Sequence, residues 1–187
     1  IEHDFSEFES TFGIACPSRC GRCCEGFIPD VTYLEALLIA FYLTSVKKED
    51  ISYLDGWSIS HDSCPLLDGS TKRCRAYAVR PIICRVFCSA ASQTKNGLSF
   101  RGCHLSTDMP HMVREISDKE LKASHIRIPV MSEYGEKIRQ LQEWNTETKL
   151  LDEAVIDLSA KLELLRRILA ESGVDNDFTP QASCSVL

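Results

Sequence analysis

Cys16-Pro-Ser-Arg-Cys20-Gly-Arg-Cys23-Cys24 is the stretch around which the rest of the chain is organised. It sets four thiols within nine residues, and Cys64, Cys74, Cys84, Cys88 and Cys103 follow, so nine of the ten cysteines fall between positions 16 and 103. Packing does not require such density. Pro17 and Gly21 keep the backbone irregular and let sulfurs converge. Thiolates bind soft or borderline metals, zinc at ~2.3 Å or iron in Fe–S clusters. The pattern therefore reads as a site for zinc or iron, including an Fe–S cluster, assembled from three separate segments.

Composition narrows the alternatives. At 187 residues with 44% apolar content the chain can bury a core of its own, so it does not need the disulfide staples of small secreted scaffolds. A disulfide-stabilised module stays open as an alternative. The formal net charge of -6 argues against nucleic-acid binding. No apolar run approaches the ~20 residues of a membrane span. With no basic-then-apolar leader, the expected location is the cytoplasm.

Outward from the first cysteines, Phe5, Phe8 and Phe12 fall at helical spacing, and Gly13 ends that helix. Thr32-x-x-Glu35 is a capping box opening an apolar helix through Leu34, Leu37, Leu38, Phe41 and Tyr42. Cys64 and Cys74 bracket Asp68-Gly69-Ser70, a turn consistent with a hairpin that brings the two together. Cys84 to Cys88 begins a further helical turn after Arg80-Pro81. Asn96-Gly97 turns into a short strand over Leu98 to Arg101, and Ser117-x-x-Glu120 is a second capping box.

Beyond Ser132 the character changes. Leu141, Trp144, Leu151, Val155, Leu158, Leu162, Leu165 and Leu169 form a heptad stripe with Thr148 in its one gap. An unbroken helix here would span roughly 60 Å. It packs along its own domain, folds back as a hairpin near Trp144 to Thr148, or pairs residues 141–169 with a second copy in a homodimer. Gly173 is placed to cap it. The expected fold is mainly α with irregular cysteine-rich loops around a metal site and a long C-terminal helix or helical hairpin. The expected divisions are residues 1–130 for the metal-binding domain, 131–173 for the helical element and 174–187 for a mobile tail that carries Cys184.

An acidic chain concentrates its cations at the thiols. Arg19 and Arg22 flank the first cysteines, and Lys72, Arg73, Arg75, Arg80 and Arg85 lie between Cys64 and Cys88 against the single acid Asp68. Nearby cations favour thiolate over thiol. His61 and His104 sit close enough in sequence to Cys64 and Cys103 to be considered as ligands. Cys16-x3-Cys20-x2-Cys23 also matches the spacing of radical-SAM enzymes, but too little chain follows for their barrel.

Taken together, Cys16…Cys20…Cys23-Cys24, Cys64-Pro65-Leu66, Cys74-x-x-Tyr77-x-x-Arg80-Pro81-x-x-Cys84-Arg85-x-Phe87 and Cys103 resemble the CxxCxxCC cysteine-cluster family linked to zinc or iron chelation. The resemblance covers roughly residues 14 to 105 and departs from the family's pattern in its first spacing, x3 for x2. It implies eight metal ligands: Cys16, Cys20, Cys23, Cys24, Cys64, Cys74, Cys84 and Cys103. Tyr77, Arg80 and Arg85 would then donate hydrogen bonds or charge to the sulfurs. Cys88 is an extra thiol outside that set. The cysteine region of flagellin lysine N-methylases is distantly related, which implies an enzymatic alternative: an Fe–S-dependent modification or redox enzyme, with protein lysine N-methylation as the modification that the resemblance suggests. No nucleophile–base pair or phosphate-cradling loop is recognisable in the chain.

Overall fold

The structure, a computed structural model, describes residues 2–14, 16, 20–103, 105, 114–142 and 144–172. The expected Gly173 cap, the tail and Cys184 lie outside these residues. Among the described residues helices make up most of the regular structure, with three small sheets.

Helix α1 (Glu2–Phe12) buries Phe5 and Phe8, as their spacing predicts, and ends at Gly13 in the left-handed region. Phe8 meets Phe12 at a tilt and Phe100 edge to face, with ring centroids 5.0 and 5.2 Å apart. Strand β1 (Asp30–Thr32) runs directly into α2 (Tyr33–Phe41), where both halves of the capping box form. A π-helical turn over Tyr42–Val46 continues α2. The short helix α3 (Trp57–Ser60) follows, then the hairpin of β2 (Leu67–Asp68) and β3 (Arg73–Cys74) and helix α4 (Ile82–Val86).

Strands β4 (Ser92–Thr94), β5 (Gly97–Arg101) and β6 (Glu115–Ile116) form an antiparallel sheet. Its first turn is the Asn96-Gly97 turn, with Gly97 at φ 106°. Helix α5 (Asp118–Ala123) opens on the second capping box.

The C-terminal stripe is interrupted. Helix α6 (Met131–Leu141) stops, strand β7 (Thr148–Leu150) pairs antiparallel with β1, and α7 (Leu151–Glu171) runs on from it. The break falls in the Trp144–Thr148 region. Leu151, Val155 and Leu158 are buried in the core shared with Val31, Ala36, Ile39 and Leu43 of β1, α2 and the π-helical turn. Farther along, Leu165 is 51% exposed, and Leu141 and Trp144 also stand outside the core.

The described residues form three apolar clusters. The first joins α2 and α7 to Cys64, Leu66 and Ala76. The second joins α1 to the three-stranded sheet and α5, and the third joins Phe5, Val86, Ala90 and Tyr134. The cysteine segments thread between the first cluster and the other two: Cys64 belongs to the first, while Cys84 and Cys88 flank Val86 of the third. No described helix is long and apolar enough to cross a membrane.

Candidate metal centre

The first cysteine loop is shaped by Gly21. It sits at φ 61°, ψ -4° and starts a single 3-10 turn over Arg22–Cys24. A Cβ at Gly21 would stand 3.0 Å from Leu67 Cδ1 and 3.1 Å from the Lys72 carbonyl oxygen, so the loop lies directly on the β2–β3 hairpin. Two hydrogen bonds tie it to distant segments. The Cys64 amide donates to the Cys24 carbonyl at 2.7 Å, and Arg22 Nη1 donates to the Leu105 carbonyl at 2.8 Å.

The other thiols arrive on regular structure. Leu67 pairs with Cys74 across the hairpin, which returns Cys74 to the side of Cys64, and the Arg75 amide closes onto the Leu66 carbonyl at 2.7 Å. Cys84 sits within α4. The start of that helix is fixed by Glu35, whose Oε1 accepts from the Ile82 amide at 2.8 Å while Oε2 accepts from the Thr32 amide and hydroxyl at 3.0 and 2.7 Å. One carboxylate thus anchors α2 and the Cys84 segment together. Cys103 follows β5, beside the Gly102 amide that donates to the Arg114 carbonyl at 2.8 Å.

All nine described cysteines are free thiols. Cys23 and Cys24 hold their sulfurs 3.9 Å apart, close to the ~3.8 Å edge of a tetrahedron of ligands ~2.3 Å from a zinc ion. Crowding and burial oppose ionisation. Cys16 is an exposed residue, yet partial burial of its sulfur, then Cys20, Cys23 and Cys103 beside it, push its thiol up to about 12. At Cys24 the hydrogen bond with Cys23 pulls downward, but contact with Cys64 and burial prevail and bring it to about 12. Burial, then Cys24, Cys74 and Cys23, also take Cys84 to about 12. Contact with Cys24 and then burial raise Cys23, whereas burial and then Cys103 raise Cys88. Burial raises Cys74 against the opposing Ala76 amide, Arg80 and Lys47. These thiols are neutral at pH 7, and among the described residues no three His, Cys, Asp or Glu side chains are arranged to hold a metal ion.

The cations divide. Lys72 pairs with Glu25 at 2.8 Å, and Arg75 pairs with Glu49 at 2.6 Å and Asp68 at 3.7 Å. Arg85 spends Nε and Nη2 on the carbonyls of Arg80 and Ala78, bracing the loop before α4. The charge of Arg80 reaches Cys23, Cys74 and Cys84. It lies 4.2 Å from the centroid of the exposed Tyr77 ring, and its Nε is buried with no hydrogen-bond partner. A buried donor left unpaired beside a nest of sulfurs fits a thiolate ligand set, because sulfur carrying negative charge would accept from it. Lys47, at the end of the π-helical turn, donates to the Arg75 carbonyl at 3.1 Å and pairs with Glu49 at 3.1 Å, and its charge also favours the Cys74 thiolate, an influence that its distance in sequence concealed. His61 instead stacks on Trp57 at 4.0 Å and bonds Ser60 Oγ through Nδ1. Arg19 and His104 lie outside the described residues.

A family model for the CxxCxxCC family, described as a "Putative zinc- or iron-chelating domain", matches residues 15–121. An uncharacterised protein of Methanocaldococcus jannaschii is 36% identical over 76 residues, an alignment that covers 36% of this chain and 41% of the relative. The chain therefore spans less than half of that relative's length. No solved structure matches. With more than half of its length matched, the chain belongs to the CxxCxxCC family.

Proposed function

We propose that this chain binds zinc or iron through its clustered cysteines, and that the metal ties together three segments: the 16–24 loop, the stretch from Cys64 to Cys84, and Cys103. The observation that carries this reading is the buried, unpartnered Nε of Arg80 among thiols drawn from segments far apart in sequence. The donors are Cys16, Cys20, Cys23, Cys24, Cys64, Cys74, Cys84 and Cys103. When bound, zinc would contribute folding energy, and an Fe–S cluster would add one-electron chemistry. The residues supply convergent sulfurs, with Arg80 and Lys47 to offset their charge. Because burial and crowding raise Cys16, Cys24 and Cys84 to about 12, binding them as thiolates releases protons, so affinity rises with pH.

The test is metal and sulfide content with the visible spectrum, on protein purified without oxygen. Stoichiometric zinc or iron supports the proposal, and broad absorption near ~400 nm with sulfide identifies a cluster. Protein that stays metal-free after incubation with either ion, and whose thermal stability a chelator leaves unchanged, refutes it.

A further inference from the structure

Away from the thiols, the start of α7 and the turn into α3 enclose a cleft of about 220 Å³. Sites for drug-sized ligands run to ~300–1,000 Å³, so this one suits a single small group. Leu54, Ile59 and Ile156 form its apolar walls, and Asp55, Asp152 and Glu153 supply carboxylates. Among the described residues no Lys, Arg or His lines it. Asp152 differs from the other two acids. It is 1% exposed, whereas Asp55 and Glu153 are exposed. Its Oδ2 accepts from the Ser58 amide at 2.8 Å, which ties α3 to α7, while its buried Oδ1 has no hydrogen-bond partner. A place in the first turn of α7 favours the negative charge. It still leaves that oxygen unsatisfied, and buried acceptors are seldom left so. At the same cleft Ile59 stands 89% exposed, apolar surface uncovered beside acids. An acceptor without a donor and an apolar wall without cover fit a ligand with a cationic donor at one end and an apolar stem. The remaining geometry selects the cation. No three His, Cys, Asp or Glu among the described residues are arranged to hold a metal ion. A guanidinium pairs best with both oxygens of one carboxylate, and the Ser58 amide already occupies Oδ2 of Asp152. An ammonium is a compact charge with three rotatable donors, so one oxygen of Asp152 suffices for it.

We propose that this cleft binds a small primary alkylammonium group. Its nitrogen donates to Asp152 Oδ1, Asp55 and Glu153 add attraction at the mouth, and its stem lies on Leu54, Ile59 and Ile156. The cleft shares no residue with the cysteine segments, so the site stands or falls apart from the metal-binding reading.

The experiment titrates the full chain with n-butylammonium by calorimetry at fixed ionic strength, with n-pentanol as the neutral ligand of matched length and far-UV circular dichroism to establish folding. Saturable binding of butylammonium is expected, and none of pentanol. Asp152→Asn keeps the shape and an acceptor for the Ser58 amide but replaces the charged oxygen, and should weaken binding by roughly 10–100-fold. Glu153→Gln, at an exposed position, should weaken it by about 2–5-fold. Should Asp152→Asn fail to fold, Asp55→Asn combined with Glu153→Gln carries the test, with a loss of about 10-fold expected. Nα-acetyl-lysine methylamide presents the same group on a peptide backbone: affinity equal to that of butylammonium makes a protein side chain the source, and much weaker affinity makes it a free amine. An absence of saturable butylammonium binding overturns the proposal. So does binding that all these variants leave unchanged, which would make Asp152 only the anchor between α3 and α7. Tighter binding of butylguanidinium than of butylammonium overturns it as well.

Discussion

Replacing Glu35 with alanine should damage two elements at once. Its carboxylate accepts from the Thr32 amide and hydroxyl and from the Ile82 amide, three bonds of 2.7–3.0 Å across 47 residues of sequence. Loss of a helix N-cap costs about 1 kcal/mol. A hydrogen bond to a charged group contributes about 1.5–3 kcal/mol, and the half-buried Ile82 amide loses its partner. The expected destabilisation is therefore about 3 kcal/mol, measured by urea unfolding of metal-free protein. Thr32→Ala is the control: it breaks the cap but leaves the bond to Ile82, so about 1 kcal/mol is expected. The two variants should also differ once metal is loaded. Glu35→Ala frees the start of α4, and with it Cys84, so a chelator should strip metal faster from it than from Thr32→Ala. Equal losses of about 1 kcal/mol, with equal release rates, would refute the view that Glu35 positions the cysteine segment.

Gly21→Ala should lower stability by about 2 kcal/mol or more, because the added methyl meets both a left-handed backbone and the Lys72 carbonyl. Gly13→Ala, at a similar φ with nothing within 4 Å, should lose only about 1 kcal/mol, and thermal melts of the pair separate crowding from backbone strain. Burial opposes the charge of Glu49, but hydrogen bonds from Arg75 and Lys47 prevail and hold its carboxyl below the usual range. A lowered folded value gives stability that is present above about pH 4.5 and lost as pH falls through that folded value. Glu49→Gln should thus be less stable than the parent by about 1 kcal/mol at pH 7, with the gap closing below pH 4.5 in melts taken across the range. Arg80→Met removes the charge and the donor beside Cys23, Cys74 and Cys84, and should weaken zinc affinity by roughly 10–100-fold in competition titrations, while Arg80→Lys, which keeps the charge, loses less.

Local chemistry was legible from the amino-acid order. Both capping boxes form because a Ser or Thr and a Glu three residues later satisfy each other wherever a helix begins. The turns at Asp68-Gly69 and Asn96-Gly97 likewise announce hairpins. Distant consequences were not legible. The apolar stripe from Leu141 to Leu169 has one spacing whether it meets a partner or its own core, and only Thr148, the gap in it, marks where β7 pairs with β1. Counting cysteines found the thiols but could not say which adjoin. That depends on the Gly21 turn, the Cys64–Cys24 bond and the end of α4, each set by residues remote from one another. The basic run around the cysteines was visible as charge, yet Lys72 and Arg75 are engaged by Glu25, Glu49 and Asp68, and that is settled only by folding.

The β1–β7 pair has a consequence for the order of events during synthesis. Residues 30–32 cannot find residues 148–150, nor α2 its cover from α7, until the end of the described chain has been made. Every thiol from Cys16 to Cys103 leaves the ribosome earlier, and at ~5–20 residues per second the stretch from Cys103 to Glu171 takes several seconds to follow. During that interval the sulfurs stand in water, open to a metal carrier or an oxidant, with no α7 to close the core over α2. On the metal-binding reading proposed above, loading and closure would be separated in time by the topology alone.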